Sequence, residues 1–173
     1  MDNTYTAFSP SKLNLFLHII GQRPDGYHLL QSYFQLLDFG DYLSFTPIAH
    51  DDSIYLSGNI ESLCTEENLI LRAAKQLQAL AGCQFGAEIH FDKQIPIGAG
   101  LGGGSSNAAT TLLVLNKLWH LNLDTESLLK LGESLGADIP FFIHGCRLIS
   151  VNFIFGIRIL TGEKTLLRFI RDT

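Results

Sequence analysis

The chain has 173 residues, 46% hydrophobic and 17% charged, enough for one domain with a real core. That balance excludes intrinsic disorder, a collagen-like repeat and a disulfide scaffold. A formal net charge of -5 argues against a general nucleic-acid binder, which presents a basic face.

Thr4 to Phe8 and Leu13 to Ile20 read as strands with a turn at Ser9-Pro10 between them. The cluster Gly21-Gln22-Arg23-Pro24-Asp25-Gly26 ends the second of these. Tyr33 to Leu37 and Tyr42 to Phe45 are further short strands, separated by Asp38-Phe39-Gly40-Asp41. After Glu66-Glu67, the residues Leu69, Ile70, Ala73, Ala74, Leu77, Leu80 and Ala81 recur at helical spacing, and Gly82 stops the helix. Phe85, Ala87, Ile89 and Phe91 alternate with Gly86, Glu88 and His90, the period of a half-buried strand.

From Ser105 the period is helical again, with Ala108, Leu112, Leu115 and Trp119 on one stripe. Asp124 suits the cap of a third helix carrying Leu128, Leu129 and Leu135, with Gly136 at its end. Asp138 follows, before Pro140 and the apolar run Phe141-Phe142-Ile143. Strands come before and between helices, so the predicted class is α+β.

Charge changes sign late in the chain. Residues 1–145 hold 7 basic and 15 acidic side chains, whereas residues 146–173 hold 5 basic and 2 acidic. Two units are therefore expected, residues 1–145 as the folded domain and 146–173 as an atypical tail. Cys64, Cys83 and Cys146 show no metal-ligand spacing and fit a reducing compartment. Asp2 and Lys12 spoil a signal peptide, and no run approaches the roughly 18 apolar residues of a membrane span. A cytoplasmic protein with neither membrane nor nucleic acid as partner is the expectation.

The chemical signal lies in Pro96-Ile97-Gly98-Ala99-Gly100-Leu101-Gly102-Gly103-Gly104-Ser105-Ser106, with five glycines in seven positions directly before a helix. Glycine tolerates positive φ and lets an anion approach the backbone closely. Successive N–H groups and the helix N-terminus then make a phosphate cradle, and Ser105 or Ser106 can add a hydroxyl to a phosphate or a metal ion. Gly-Lys-Ser/Thr is absent, which excludes a Walker loop. Gly98, Gly100 and Gly103 fit the dinucleotide spacing, and Asp124 lies about 20 residues on. That acidic residue should end a strand, yet Asp124 stands between two helices. Protein-kinase signatures are also missing.

This loop resembles the signature of the GHMP small-molecule kinases. Ser9-Pro10-Ser11-Lys12-Leu13-Asn14, Arg23-Pro24-Asp25-Gly26-Tyr27-His28, Asn68-Leu69-Ile70 and Leu135-Gly136-Ala137-Asp138-Ile139-Pro140 narrow the resemblance to the 4-diphosphocytidyl-2-C-methyl-D-erythritol kinase family. It runs from about Ala7 to Gly145.

The resemblance implies the family's N-terminal domain, a mixed sheet with helices packed on it, with the C-terminal domain missing. It implies ATP with Mg²⁺, and phosphorylation of the 2-hydroxyl of a cytidine diphosphate methylerythritol in non-mevalonate isoprenoid synthesis. Asp138 is then the base. Lys12 is the cation that orients it and stabilises the transferring phosphoryl group. Asn14, Tyr27 and His28 bind the substrate, with Tyr27 and His28 on its cytosine. Residues 96–106 hold the phosphates, and Asn68 and Lys93 line the adenine pocket. No metal ligand is assigned. The stretch after Gly145 does not resemble the family's continuation, so an apolar domain face is expected to be left open.

Overall fold

In the computed structural model, which describes residues 4–22, 28–145 and 148–151, the first half of the sheet is one long ribbon. Strand β1 runs from Tyr5 to Gln22 and strand β2 from His28 to Ile48, paired antiparallel along most of their length. Neither Ser9-Pro10 nor Asp38 to Asp41 turns the chain. Proline lacks an N–H, but β1 is the outer strand of the order β1-β2-β4-β3, and Pro10 sits where the register shifts between Pro10 and Lys12. An edge strand with a bulge tolerates proline there. Gly40 lies opposite Pro10, and a Cβ on it would strike the Ser9 carbonyl. The glycine therefore marks a close approach of two strands.

Strand β3 (Ile54–Gly58) leads through a 3-10 turn (Glu61–Leu63) and helix α1 (Leu69–Ala81) to strand β4 (Gly86–Asp92). β3 and β4 pair in parallel, so the helix makes the crossover that parallel strands need. Asn68 caps α1 by accepting from the Ile70 N–H at 2.9 Å, and Gly82 ends it at φ 60°. The predicted helical face is buried at Ile70, Ala73, Ala74 and Leu77, while Leu80 is exposed and Leu71 is buried instead. In β4 the alternation holds for Ala87, Ile89 and Phe91, but Phe85 precedes the strand and is exposed.

Helix α2 (Gly103–Leu118) begins two residues before Ser105, and α3 (Thr125–Leu135) starts under the Asp124 carboxylate, which accepts from the Ser127 N–H at 2.9 Å. Helix α4 (Ile139–His144) closes the domain. Leu43 and Phe45 of β2, Ile89 and Phe91 of β4, Leu77 of α1, Leu112 and Leu115 of α2 and Phe141 of α4 share one core. The opposite face of the sheet carries Tyr42, Tyr55, Glu88 and His90 and stays in water, as an antiparallel sheet permits.

On β1, Leu13, Leu15, Ile19 and Ile20 are exposed. Beyond Gly145, strand β5 (Leu148–Val151) pairs antiparallel with Gln31–Phe34 of β2. Cys146 and residues 152–173, which make up most of the expected tail, lie outside the described residues. Among the described residues, no helix is long and apolar enough to cross a membrane.

His144, in the last turn of α4, is half-buried, and burial pushes its imidazole below the ordinary value of 6.5. The folded chain therefore resists a proton that the unfolded chain accepts. Stability from this group is present above pH 6.5 and is lost as pH falls through 6.5 toward the lowered folded value. Thermal melts from pH 7.5 to 5.5 should show a falling midpoint that His144→Asn flattens. Asp51 and Asp124 are held below 3.8 chiefly by hydrogen bonds from Ser53 and Ser127, so their own losses come at more acid pH.

Candidate active site

The glycine loop is built by alternating backbone. Gly98, Gly100 and Gly102 have φ of 74°, 72° and 72°, while Ala99 and Leu101 between them do not take positive φ. Such alternation turns successive N–H groups to one side, the geometry of an anion nest. The demand for glycine falls on these three positions. Gly103 and Gly104 are the first residues of α2. The loop borders a cavity of about 240 Å³ lined also by Asn68, Leu69, Lys93 and Asn107. A Cβ at Gly98 or Gly100 would meet nothing within 4 Å. Their backbone faces open space that can receive a ligand.

Two contacts fix this loop against β1. The Lys12 N–H donates to the Leu101 carbonyl at 2.9 Å, a bond available because the register breaks at that point. A Cβ on Gly102 would stand 2.8 Å from the Phe142 ring and 3.0 Å from Lys12 Cγ, so loop, α4 and Lys12 pack directly on one another.

Lys12 is 6% exposed, not solvated as a lone strand lysine usually is. Its Nζ donates to Asn14 Oδ1 at 2.5 Å, lies 3.4 Å from Asp138 Oδ2 and sits 4.9 Å above the Phe34 ring. Strand alternation puts Lys12 and Asn14 on one face, and Phe34 is the pairing partner of Asn14. Three weak-to-moderate attractions thus hold one ammonium.

Asp138 stands at the N-cap of α4, so an aspartate there does have a helical reason, which the sequence pattern alone did not reveal. Its carboxylate nevertheless makes no capping bond. The cause is local. Pro140 at the second helical position removes an N–H that a cap would use, and Asp138 has helical backbone, φ -86° and ψ -14°, instead of the extended backbone of a capping residue. The carboxylate is left for Lys12 and for the solvent side, where it is 38% exposed. At 3.4 Å the ion pair is looser than a charge-assisted hydrogen bond, leaving lone pairs for a substrate hydroxyl.

Other expected site residues fare differently. Ser106 is fully buried, and its hydroxyl accepts from Ser9 Oγ at 2.8 Å, which ties α2 to β1. It is therefore an internal strut, not a hydroxyl offered to phosphate or metal. Ser105 is partly exposed in the first turn of α2, and neither serine lines the cavity. Asn68 lines it, but its amide is engaged at both ends, donating to the Leu63 carbonyl at 2.8 Å as well as capping α1. Tyr27 lies outside the described residues, as does the side chain of His28, whose backbone pairs with Gln22.

Sequence reasoning missed Asp41 and Asn107. Asp41 is fully buried and accepts from Lys93 Nζ at 2.6 Å and from Asn107 Nδ2 at 2.9 Å. A signal was present: Asp41 has the parity of Leu43 and Phe45, so it faces the core. Among the described residues, no group of three or more His, Cys, Asp or Glu is arranged to hold a metal ion.

Residues 68–146 match the family model described as GHMP kinases N terminal domain. The chain is 55% identical over 137 residues to a 4-diphosphocytidyl-2-C-methyl-D-erythritol kinase of Aromatoleum aromaticum, covering 79% of the chain and 48% of that protein. It is 58% identical over 137 residues to the kinase of the same name from Haemophilus influenzae, covering 79% of the chain and 44% of that protein. A crystal structure of 4-(cytidine 5'-diphospho)-2C-methyl-D-erythritol kinase superposes with a TM-score of 0.72 at 39% identity, over 82% of this chain and 49% of that one. The chain spans about half the length of the curated relatives it matches.

Proposed function

The chain carries a GHMP-kinase N-terminal domain, and from that premise we propose that it is the nucleotide-binding half of a kinase acting on 4-diphosphocytidyl-2-C-methyl-D-erythritol. The observation that carries this reading is the junction at Gly102 and Leu101, which sets a phosphate cradle directly against a buried lysine and its carboxylate. Phosphoryl transfer asks for that combination: positioning, neutralisation of charge and a base for the attacking hydroxyl.

The residues fit a nucleotide triphosphate, since the positive-φ glycines leave backbone open to an anion and the N-terminus of α2 adds positive potential. Asp138 accepts the proton of the 2-hydroxyl as its oxygen bonds to the γ-phosphorus. The bond from that phosphorus to the β–γ bridging oxygen breaks, and ADP leaves. Lys12 turns Asp138 toward the hydroxyl, and its ammonium meets the charge on the transferring group. Asn14 fixes the ammonium from the other side. Tyr27 and His28 belong to the cytosine end of the site by their resemblance to the family pattern. Mg²⁺ would come with the phosphates and neutralise part of their charge, and Ser105, in the first turn of α2, is the hydroxyl that would hold it. The setting is a cytoplasmic biosynthetic route to isoprenoid precursors.

The test is nucleotide titration of the purified chain, followed by an ADP-release assay with the cytidine substrate and, separately, with homoserine and mevalonate. Saturable ADP or ATP binding with turnover confined to the cytidine substrate is expected of the complete protein. Binding without turnover would limit this chain to nucleotide capture. No nucleotide binding at all would overturn the reading.

A further inference from the structure

The two oxygens of Asp41 have divided work. Oδ1 accepts from the backbone N–H groups of Gln94 and Ile95, both at 2.8 Å, on the segment that leads from β4 into the glycine loop. Oδ2 accepts from Lys93 Nζ and Asn107 Nδ2. Four donors offset the desolvation of a fully buried carboxylate, so the group is stable only while all of them hold their places.

Two features of this cluster do not serve folding. The Lys93 ammonium lies against the start of α2, where a Cβ on Gly103 would be 2.7 Å from Nζ. A cation at a helix N-terminus opposes the helix dipole. Asn107 must turn its amide nitrogen to Asp41, which leaves its buried Oδ1 with no partner. Such an atom costs stability in proportion to its desolvation. Lys93 and Asn107 both line the cavity beside the loop. The Lys93 ammonium is thus held at the wall of the cavity beside the N-terminus of α2, where a phosphate would meet it.

We propose that Asp41 is the positioning residue of the glycine loop, holding Lys93 at the start of α2 and the segment that enters the loop in the geometry that receives nucleotide phosphates. This rests on the nucleotide-binding reading above. The charge of Asp41 is required, not only its shape.

Asp41→Asn tests it, with ADP titration between pH 7.5 and pH 9, where the ADP phosphates are fully ionised, and hydrogen exchange of the free chain. Wild-type affinity should be flat across this range. In the variant, affinity should fall at least tenfold at pH 8 and fall further as pH rises, because a buried ammonium without its carboxylate sheds its proton more readily. A merely structural role would lower affinity equally at every pH. Exchange at the amides of Gln94, Ile95 and residues 98–104 should rise at least tenfold, with the amides of α1 unchanged.

The variant leaves a buried cation unpaired and can fail to fold, so Asp41→Asn with Lys93→Met is the second protein. It should fold and bind ADP at least tenfold more weakly than wild type, with no pH dependence. Wild-type affinity in either folded variant, or a pH-independent loss in Asp41→Asn, overturns the proposal. If the wild-type chain binds no ADP, the nucleotide reading fails alone and exchange decides Asp41: unchanged loop protection in a folded variant overturns its role, and selective loss of protection upholds it.

Discussion

Asp138→Asn should lower turnover roughly a hundred- to ten-thousand-fold, the usual contribution of a positioned general base, while nucleotide affinity stays within a few-fold of wild type. The substitution keeps the volume and the backbone and removes only the ability to take a proton. Stability should barely move. The carboxylate is 38% exposed, makes no capping bond and stands 3.4 Å from Lys12, so the pair belongs with those worth about 0–1 kcal/mol. Lys12→Met should produce a loss of similar size, since its stem still packs against Gly102 while the ammonium above Phe34 is gone. Both variants belong at the matching positions of a full-length relative, with kcat and the nucleotide dissociation constant measured side by side. Turnover at wild-type level in either would remove that residue from the chemistry. A loss confined to nucleotide affinity would instead place it in the cradle.

Lys12 and Asp138 were singled out by the resemblance to the kinase family, because a lone strand lysine and an aspartate between a glycine and a proline carry no such signal by themselves. α1 and α3 were legible for a different reason, since amphipathic spacing and a side-chain cap are properties of the segment itself. The β1–β2 ribbon was not. Ser9-Pro10 and Asp38 to Asp41 carry the composition of turns, and only the pairing of Pro10 with Gly40 makes both of them extended. That information is non-local, separated by some thirty residues of chain, so no window can hold it. Asp41 was lost with the same misreading, because its parity with Leu43 is visible only once the strand is continuous. Ser106 illustrates a related limit. A serine in the first turn of a helix after a glycine loop has the composition of a phosphate ligand, yet the 3.6-residue turn points this one inward at Ser9.

Gly103→Val should abolish nucleotide binding, and the structure gives it a different physical cause from that of its neighbours in the loop. Gly103 takes helical backbone that valine also adopts, so no dihedral strain arises there. The obstacle is space. A Cβ would lie 2.7 Å from Lys93 Nζ and 3.2 Å from both Cβ and Cγ2 of Ile95, and valine adds two methyl groups beyond it. The ammonium is the end of a flexible side chain and yields first, which draws it off Asp41 and out of the loop's entry. Ile95 is almost wholly buried and cannot yield as easily. Overpacking of this kind costs about 1–3 kcal/mol. The melt should shift as well as the titration. Gly100→Ala separates the two causes. Its Cβ would meet nothing within 4 Å, but φ is 72°, so the cost is backbone strain alone, about 1–2 kcal/mol. If that strain falls on the ligand-ready loop, it weakens ADP binding by about tenfold, since 1.4 kcal/mol corresponds to a factor of ten, with the core untouched. Titration with ADP beside a thermal melt of each variant makes the comparison. A folded Gly103→Val chain that binds ADP at wild-type strength would dismiss residues 96–106 as a phosphate cradle, because no ammonium placement or nest geometry could then matter to binding.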